Sequence, residues 1–274
     1  MRIISFNING IRARLHQLEA ITQTLNPDIL CLQETKVHDD AFPLPAIEAL
    51  GYHVHFNGQK GHYGVATLSR QPAQLVARRF PQEDEDAQRR LLITEHSLAD
   101  GKALTVINGY FPQGENREHP TKFPLKVAFY EQLQEWLKDH RQPADPVVIL
   151  GDFNVAPEDT DIGIGDKNRK RWLSAGKCAF LPEERAWIER LKGWGLQDSF
   201  RLHHPDTADR FSWFDYRSRG FEDDPRRGLR IDHLMVTPPL AAACTDAGVS
   251  YDIRSMEKPS DHAPVWADYQ LQLA

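Results

Sequence analysis

The sequence has few cysteines, and their spacing excludes the common structural uses of cysteine. Its three cysteines, Cys31, Cys178 and Cys244, are far apart and form no C-x-x-C pair. A zinc site or a disulfide framework is therefore not expected. Cys31 lies within an apolar run and is expected to be a small core residue rather than a reactive thiol. A reducing, cytoplasmic setting fits this pattern.

Long apolar runs are also missing. No segment approaches the ~20 consecutive apolar residues that a membrane-spanning helix requires, so no membrane partner is expected. The segment from Met1 to Asn7 has the composition of a β-strand and lacks the apolar core of a signal peptide.

The chain has no excess of positive charge, although such an excess is common in proteins that bind nucleic acid. It contains 33 basic and 39 acidic side chains, a net charge of −6. A nucleic-acid partner would require a local basic face, because the overall field repels phosphates. The net charge does not exclude such a partner, since a metal site rich in carboxylates would itself lower the net charge.

The length and composition are typical of one folded domain. Hydrophobic residues make up 41% and charged residues 26% of the 274 positions, as in ordinary soluble proteins. This length suffices for one large domain or two small ones. Because no low-complexity segment, tandem repeat or linker interrupts the chain, we expect a single domain spanning residues 1–274.

Strand and helix patterns mix along the chain without strict alternation. Strands are predicted at residues 2–7, 28–32, 52–56, 65–69, 91–95, 103–108 and 147–150, and near 211–213, 231–236, 249–253 and 264–269. Helical spacing of apolar residues predicts helices at 11–25, 44–50, 123–137 and 183–194, with an irregular segment at 156–179. Consecutive strands without an intervening helix imply antiparallel pairs. We expect an α/β fold with mixed sheets rather than a Rossmann or barrel fold.

The segment from Val147 to Asn154 combines a strand that should be buried on both faces with polar residues at its end. Four apolar residues precede Gly151-Asp152-Phe153-Asn154. On an extended backbone, residues two apart point to the same side, so Asp152 and Asn154 would present a carboxylate and an amide together. Taken alone, the segment is better explained as a strand ending in a turn, because glycine, aspartate and asparagine favour turns.

Other predicted strands end in the same kind of polar group. The residues concerned are Asn7, Glu34, Tyr110, Asp232 and the segment Ser260-Asp261-His262. Each alone could be a turn residue, an exposed strand end or a half-buried ring. Asp232, however, lies in the apolar stretch 231–236, where an unpaired carboxylate is costly, so it needs a partner such as a histidine.

The chemistry of these groups is consistent with a single site. Oxygen ligands without cysteine indicate Mg²⁺ or Mn²⁺ rather than zinc. Aspartate, asparagine and histidine together can orient a water molecule, bind a phosphate and stabilise a leaving group. The residues therefore predict a metal-dependent phosphoesterase.

These groups lie in short motifs spread across nearly the whole chain. The motifs are Leu32-Gln33-Glu34-Thr35-Lys36, Asn108-Gly109-Tyr110, Gly151-Asp152-Phe153-Asn154, Arg230-Ile231-Asp232 and Ser260-Asp261-His262-Ala263-Pro264. Together and in this order they resemble the exonuclease III family of DNA-repair nucleases, and residues 58–65 and 211–217 are similar to its bacterial members. The resemblance implies a DNase I-like fold, a four-layer α/β sandwich of two mixed sheets face to face with helices outside.

The resemblance also implies roles for individual residues. Glu34 would be the main metal ligand, with Asn7 and Asp261 near it. Asp152 would orient or deprotonate the attacking water or bind the metal, and Asn154 would hold that water or a phosphate oxygen. The implied metal-binding set is Asn7, Glu34, Asp152, Asn154, Asp261 and His262, and the implied catalytic set is Tyr110, Asp152, Asn154, Asp232 and His262.

Two of these roles concern the phosphate directly. His262 would contact the scissile phosphate, with Asp232 orienting its ring. Tyr110 would donate a hydrogen bond to a phosphate oxygen, because an unperturbed tyrosine pKa near ~10 makes it a poor base.

A further group of residues would contact DNA. Trp213, Leu229 and Ile231 resemble the apolar pocket in which the family accepts a deoxyribose without its base, although core packing explains Leu229 and Ile231 equally well. Phosphate contacts are expected from basic and polar residues, with a solvated basic loop as the alternative. The candidates are Gln113, Lys122, Lys167, Arg169, Lys170, Arg171, Arg217, Arg226, Arg227 and Arg230. Reading of base sequence is not expected.

The resemblance implies a Mg²⁺- or Mn²⁺-dependent DNA-repair nuclease, acting as a monomer on double-stranded DNA. It would cleave 5′ to abasic sites, act as a 3′-to-5′ exonuclease and remove blocking groups from 3′ ends. One alternative keeps the fold and the metal but acts on inositol phosphates, sphingomyelin or a small nucleotide. Another is a binding module without catalytic activity.

Overall fold

The computed structural model describes residues 1–274, whose strands form two six-stranded sheets. The strands are β1 Arg2–Asn7, β2 Ile29–Gln33, β3 His53–Asn57, β4 Val65–Ser69, β5 Gln74–Ala77, β6 Leu91–Ser97, β7 Ala103–Tyr110, β8 Val147–Asp152, β9 Gln197–Asp198, β10 Asp232–Val236, β11 Cys244–Val249 and β12 Val265–Tyr269. The α-helices are α1 Leu15–Thr24, α2 Leu44–Glu48, α3 Lys122–His140, α4 Asp166–Ser174, α5 Pro182–Trp194, α6 Ser199–His203, α7 Pro238–Ala243 and α8 Tyr251–Arg254. None of them combines the length and the apolar content needed to span a bilayer.

Both sheets are mixed, as the strand and helix patterns predicted. The first sheet has the order β11-β12-β1-β2-β4-β3 and the second β5-β6-β7-β8-β10-β9. β1 and β2 pair in parallel, as do β7 and β8, while the other neighbouring strands are antiparallel. Each sheet therefore has one parallel pair at its centre.

Three apolar clusters separate four layers. The cluster between the sheets takes residues from both, including Ile3, Cys31, Val106, Val148 and Leu234. A second cluster packs α3 and α5 on the outer face of the second sheet, and a third packs α1, α2 and α8 on the first. Strands covered on both faces need continuous apolar runs, which explains the sequence of β8. Burial raises the pKa of the Cys31 thiol to about 12, so this residue is a core thiol as predicted.

Some predictions of secondary structure are wrong. The segment 156–179 is not irregular throughout, because it contains α4, which has no buried residue and few apolar ones to signal it. Residues 211–213 form no strand, since Trp213 makes only isolated bridges, to Leu229 and His262. In 249–253 the strand ends at Val249 and α8 follows. The short edge strand β5 was not predicted, and its residues are at most half-buried.

The topology brings the polar strand ends to one edge of the sandwich. β1 and β2 run in parallel, with Asn7 opposite Gln33, so Asn7 and Glu34 leave the first sheet together. β7 and β8 run in parallel with Tyr110 opposite Asp152, and β10 enters from the other side with Asp232 opposite Asp152. Because the two sheets pack face to face, these five side chains meet where both sheets end.

The predicted DNA contact by Arg230 is wrong, because this side chain is buried. It is 1% exposed, and its guanidinium donates to Asp161 and to Asp198, both at 2.7 Å. The two carboxylates compensate the burial of its charge. Arg230 thus fixes the backbone just before β10, which carries Asp232.

Candidate active site

A close approach of two strands positions Asp152. A Cβ atom at Gly151 would lie 1.8 Å from the Gly109 carbonyl oxygen, and Gly151 has φ +138°. Only glycine allows this contact between β7 and β8. The glycine therefore holds the end of β8 against β7, and Asp152 follows it with 2% of its surface exposed.

Three side chains form a cluster that can hold a cation. Glu34, Asp152 and His262 each offer a ligand atom, and these atoms lie within 4.8 Å of one another. Asn7 joins the two carboxylates, since its amide nitrogen donates to Glu34 Oε1 at 2.9 Å and to Asp152 Oδ2 at 3.0 Å. The Asn7 oxygen accepts from the Asn9 amide, so Asn7 could ligate a metal only after its amide group turned over.

The electrostatics of Asp152 favour a bound cation. Burial raises its pKa to about 7, and the nearby Asp232 and Glu34 carboxylates act in the same direction against His262 and Asn7. Clustered negative charge in a buried site is relieved when a cation binds. The oxygen-rich donor set matches the preference of Mg²⁺ and Mn²⁺. The residues present therefore fit a divalent metal ion.

The partner expected for the buried Asp232 is His262. The Nδ1 atom of His262 lies 2.8 Å from Asp232 Oδ2, and its Nε2 lies 3.6 Å from Asp152 Oδ2. Burial alone would lower the pKa of His262, but the charges of Asp232 and Asp152 outweigh it and raise the pKa to about 10. His262 is therefore an imidazolium whose Nε2–H points into the site. In this state it donates a hydrogen bond and cannot be a metal ligand, so Glu34 and Asp152 are the members of the cluster that can bind a cation.

Asp261 lies at the site but has both oxygens engaged. Oδ1 accepts from Asn9 at 2.8 Å and Oδ2 accepts from the Trp213 ring nitrogen at 3.1 Å. Burial would raise its pKa, yet the charge of His262 and these two hydrogen bonds leave the pKa below its usual value. Asp261 stays ionised while it connects Trp213 to the loop that carries His262.

Asn154 does not continue the strand, so the expectation that it shares a face with Asp152 on an extended backbone is wrong. Its φ is +52°, in the left-handed region. Its backbone N–H donates to Asp152 Oδ1 at 3.0 Å, and its side-chain nitrogen donates to the Phe111 carbonyl at 2.9 Å. The segment is therefore both a turn, as its composition alone suggested, and part of the site, because the turn supplies a hydrogen bond to the Asp152 carboxylate.

Tyr110 ends β7 beside Glu34 and keeps its proton. Burial, followed by the charge of Glu34, raises the pKa of its hydroxyl well above the usual value. The Arg90 guanidinium lies 4.6 Å from the Tyr110 ring and 4.4 Å from the Tyr63 ring, and it donates to the Tyr110 carbonyl at 3.1 Å. Tyr110 is therefore a fixed hydrogen-bond donor, and Arg90 is a support that the sequence did not suggest.

A buried ion pair behind Asn154 was also missed. Lys126 and Glu184 are fully buried and paired, and Lys126 Nζ also donates to the Asn154 carbonyl at 2.9 Å and the Gln113 carbonyl at 3.3 Å. Glu184 accepts from the Ala179 and Leu181 amides at 2.9 and 2.8 Å. The sequence contains one indication of this pair. Lys126 lies on the apolar face of α3, four residues before the buried Tyr130, and a lysine on a buried face needs a partner of opposite charge.

The residues predicted to contact DNA fall into two groups. Gln113, Lys167 and Arg217 are exposed, whereas Arg169 is half-buried and forms an ion pair with Asp159 at 2.7 Å. The three apolar residues predicted to form the deoxyribose pocket are less exposed. Trp213 is half-buried, but Leu229 and Ile231 are 1% and 4% exposed. They pack with Phe180 and two alanines, which favours the core-packing alternative for both.

Two mixed sheets packed face to face, with carboxylates and a buried Asp–His pair at one edge, define the class of the protein as a hydrolase of phosphate esters. The chain belongs to the endonuclease/exonuclease/phosphatase family, whose sequence profile matches residues 4–262. Within it the sequence groups with exonuclease III. Exodeoxyribonuclease III of Haemophilus influenzae is 58% identical over 270 residues, which are 98% of this chain and 100% of that protein.

Solved structures show the same architecture. A 3′ phosphatase from Neisseria, bound to a product DNA hairpin, superposes with a TM-score of 0.88 at 37% identity and covers 98% of this chain and 99% of that one. An AP endonuclease from Archaeoglobus fulgidus has a TM-score of 0.88 at 34% identity, with the same coverage of both chains. The predicted DNase I-like four-layer fold is confirmed, as is the family.

The buried ion pair gives a prediction about stability. Replacing Lys126 with Met leaves the Glu184 charge buried without its partner, so the free energy of unfolding should fall by about 3–5 kcal/mol in urea titrations. The double variant Lys126→Met/Glu184→Gln removes both charges and should regain part of that loss. A double variant no more stable than Lys126→Met would contradict the role of charge compensation.

Proposed function

We propose that this protein is a Mg²⁺- or Mn²⁺-dependent DNA-repair nuclease that acts on duplex DNA. It cleaves the backbone 5′ to an abasic site and removes nucleotides or blocking groups from 3′ ends. The observation that carries the proposal is the cluster of Glu34, Asp152 and His262 with its Asp232 partner, in a chain 58% identical to an exodeoxyribonuclease III. Activity on abasic sites and on blocked 3′ ends is supported by the names of its relatives.

Glu34 and Asp152 are the residues best placed to hold the metal ion. Both present carboxylate oxygens to the cluster, with Asn7 and Asn154 beside them. Asp261 is a weaker candidate because its two oxygens already accept hydrogen bonds. When bound, the ion would polarise the phosphate and stabilise the charge that develops on it.

Side chains of the protein supply the other interactions of the proposed reaction. Asp152 holds the attacking water and accepts its proton, because its buried carboxylate faces the same space as Nε2 of His262, which lies 3.6 Å from Asp152 Oδ2. The His262 imidazolium donates from Nε2 to a phosphate oxygen, and Asp232 keeps that ring charged and oriented. The Tyr110 hydroxyl donates a second hydrogen bond. The water oxygen bonds to phosphorus as the bond between phosphorus and O3′ breaks.

DNA recognition is proposed to depend on phosphate contacts around the site. Exposed Lys167 and Arg217 supply positive charge despite the net charge of −6, and exposed Gln113 supplies a polar contact. Contacts to phosphates fix the register on DNA without reading its sequence. A substrate with a long charged backbone explains such residues better than a small phosphorylated metabolite or lipid does.

The protein is further proposed to be a single domain that works as a monomer in the cytoplasm. The cluster shared by both sheets supports one domain, since neither sheet could bury its inner face alone.

Product analysis on three end-labelled duplexes tests the proposed function. The duplexes carry an abasic site, a recessed 3′ end or a 3′ phosphate, and each is incubated with Mg²⁺. All three should be processed. Intact duplexes combined with hydrolysis of an inositol phosphate or sphingomyelin would favour the rival phosphoesterase, and no hydrolysis of any substrate would favour a binding module.

A substitution at Asp152 tests the proposed chemistry. Asp152→Asn removes the proton acceptor, so kcat on the abasic duplex should fall about a thousandfold, in the middle of the range for removal of a general base. DNA affinity measured in the presence of a chelator should stay within about twofold of wild type. The matched control, Asp139→Asn on exposed α3 surface, should keep full activity. Equal turnover by both variants would refute the assignment.

The salt dependence of binding tests the DNA surface. Removing one cationic side chain that contacts a phosphate should lower the slope of log affinity against log salt by roughly 0.9. The variant Lys167→Ala/Arg217→Ala should therefore have a slope smaller by about 1.8, whatever the base sequence of the duplex. The control Lys138→Ala/Arg190→Ala changes exposed residues on α3 and α5 and should keep the wild-type slope. An unchanged slope in the first variant would exclude these contacts.

A further inference from the structure

Buried polar side chains lie between the two sheets next to the active site, and the chemistry described so far does not use them. Side chains two positions apart on a strand share a face. The inward-facing residues, in order toward the site, are Ile3 and Ser5 on β1, Ile29, Cys31 and Gln33 on β2, and Leu104, Val106 and Asn108 on β7. Ser5, Gln33 and Asn108, each 0% exposed, thus occupy positions that are apolar farther from the site.

Hydrogen bonds of these three residues join one sheet to the other. Asn108 Oδ1 on β7 accepts from Gln33 Nε2 on β2 at 2.8 Å. The side-chain nitrogen of Asn108 donates to the Ala66 carbonyl on β4 at 2.9 Å. Gln33 Nε2 also donates to Ser5 Oγ on β1 at 3.1 Å. Ser5, Gln33 and Asn108 form what we term the inter-sheet clamp, which connects β7 of the second sheet to three strands of the first.

A further hydrogen bond crosses between the sheets at the same end. Asn57 on β3 is 3% exposed, and its side-chain nitrogen donates to the Leu91 carbonyl on β6 at 3.1 Å. Leu91 lies opposite Gly109, the residue that follows Asn108. The second sheet is therefore hydrogen-bonded to the first through both β6 and β7 beside the site.

The clamp lies directly behind the two carboxylates of the metal cluster. Glu34 follows Gln33, and Tyr110, two residues after Asn108, lies opposite Asp152. Because one carboxylate comes from each sheet, their separation depends on how the sheets are placed relative to one another. Apolar contacts are non-directional, whereas a hydrogen bond confines its donor and acceptor to a distance range of about 0.5 Å.

We infer that Gln33 and Asn108 are positioning residues that set the separation of the Glu34 and Asp152 carboxylates for a divalent cation. This inference rests on the proposed metal-dependent function and names residues that determine the geometry of its metal site. Burying an amide is less favourable than burying an apolar side chain of similar size, so stability alone does not explain these two residues. Fully bonded buried polar groups instead specify one arrangement of the elements that they join.

The other end of the sandwich supplies a matched comparison. Thr94 and His96 on β6 are 0% and 1% exposed, and their side chains bond to each other at 2.9 Å. They lie opposite Val106 and Leu104, which belong to the apolar cluster between the sheets. Their bond stays within one strand, so it does not fix one sheet on the other.

A double variant of the clamp tests the inference. Gln33→Leu/Asn108→Leu removes the bond between the two side chains and the bond to Ala66, while it keeps the interface filled. Its affinity for Mn²⁺, measured by electron paramagnetic resonance without DNA, should fall about 10- to 100-fold, the usual effect of changing residues that orient metal ligands. The control Thr94→Val/His96→Leu should bind Mn²⁺ as wild type does.

Urea titrations separate positioning from a purely structural role. Both double variants lose buried hydrogen bonds, so both urea midpoints should fall. Only the clamp variant should also lose affinity for Mn²⁺ under conditions where circular dichroism shows both proteins to be folded. Wild-type affinity in Gln33→Leu/Asn108→Leu would overturn the inference, and so would an equal loss of affinity in the control.

A milder substitution applies if the double clamp variant does not fold. Gln33→Met keeps the length of the side chain without its amide, so Mn²⁺ affinity should fall about tenfold. At a fixed, subsaturating Mn²⁺ concentration, kcat on a recessed duplex should fall while KM for the duplex stays within about twofold, since Gln33 is buried away from the DNA surface. Unchanged Mn²⁺ affinity in this variant would overturn the inference. Failure of the wild-type protein to bind Mn²⁺ or to hydrolyse any duplex would instead count against the proposed function.

Discussion

The burial of several carboxylates around one histidine is the constraint on which the rest of the site depends. Asp152, Asp232 and Glu34 lie close together at the ends of buried strands, where burial and like charges raise the pKa of Asp152 to about 7. His262 compensates part of this charge by remaining an imidazolium between Asp232 and Asp152. The Lys36 ammonium, 2.9 Å from Glu34 Oε2, is a second cation, so the compensation of the three carboxylates is incomplete by one charge. The remaining negative charge fits a bound cation.

The fold stabilises this arrangement through contacts that lie outside the site. Gly151 allows β8 to approach β7 closely enough to direct Asp152 into the cluster. Behind it, the Lys126–Glu184 pair holds the backbone of Asn154, while Arg230 fixes the chain just before Asp232. Both supports are buried charges compensated by ion pairs and hydrogen bonds, so removing one partner is expected to be costly. The positions of the candidate catalytic groups thus depend on buried residues outside the cluster.

Much of the fold and of the site could be predicted from the sequence, because strands covered on both faces require apolar runs and polar residues can follow only where those runs end. Asp152 was found in this way, Asp232 was singled out as a carboxylate inside an apolar stretch, and His262 came from the motif that resembles the family. The order of the motifs supplied the family. The predictions that were wrong concerned features that tertiary contacts determine. Arg230 was predicted to contact DNA because the sequence alone does not show whether an arginine side chain is exposed or buried. Likewise α4 lacks the apolar face that reveals a helix, and the left-handed turn at Asn154 breaks the alternation expected of a strand.

The central claim is that the crowded carboxylates bind a divalent cation, and Mn²⁺ binding tests it most directly. Free Mn²⁺ can be followed by electron paramagnetic resonance while protein is titrated into the solution without DNA. Wild type should bind Mn²⁺, and Glu34→Gln should bind it at least about tenfold more weakly, since a charged oxygen ligand becomes neutral. Equal binding by wild type and Glu34→Gln would show that the cation is held elsewhere and would contradict this account.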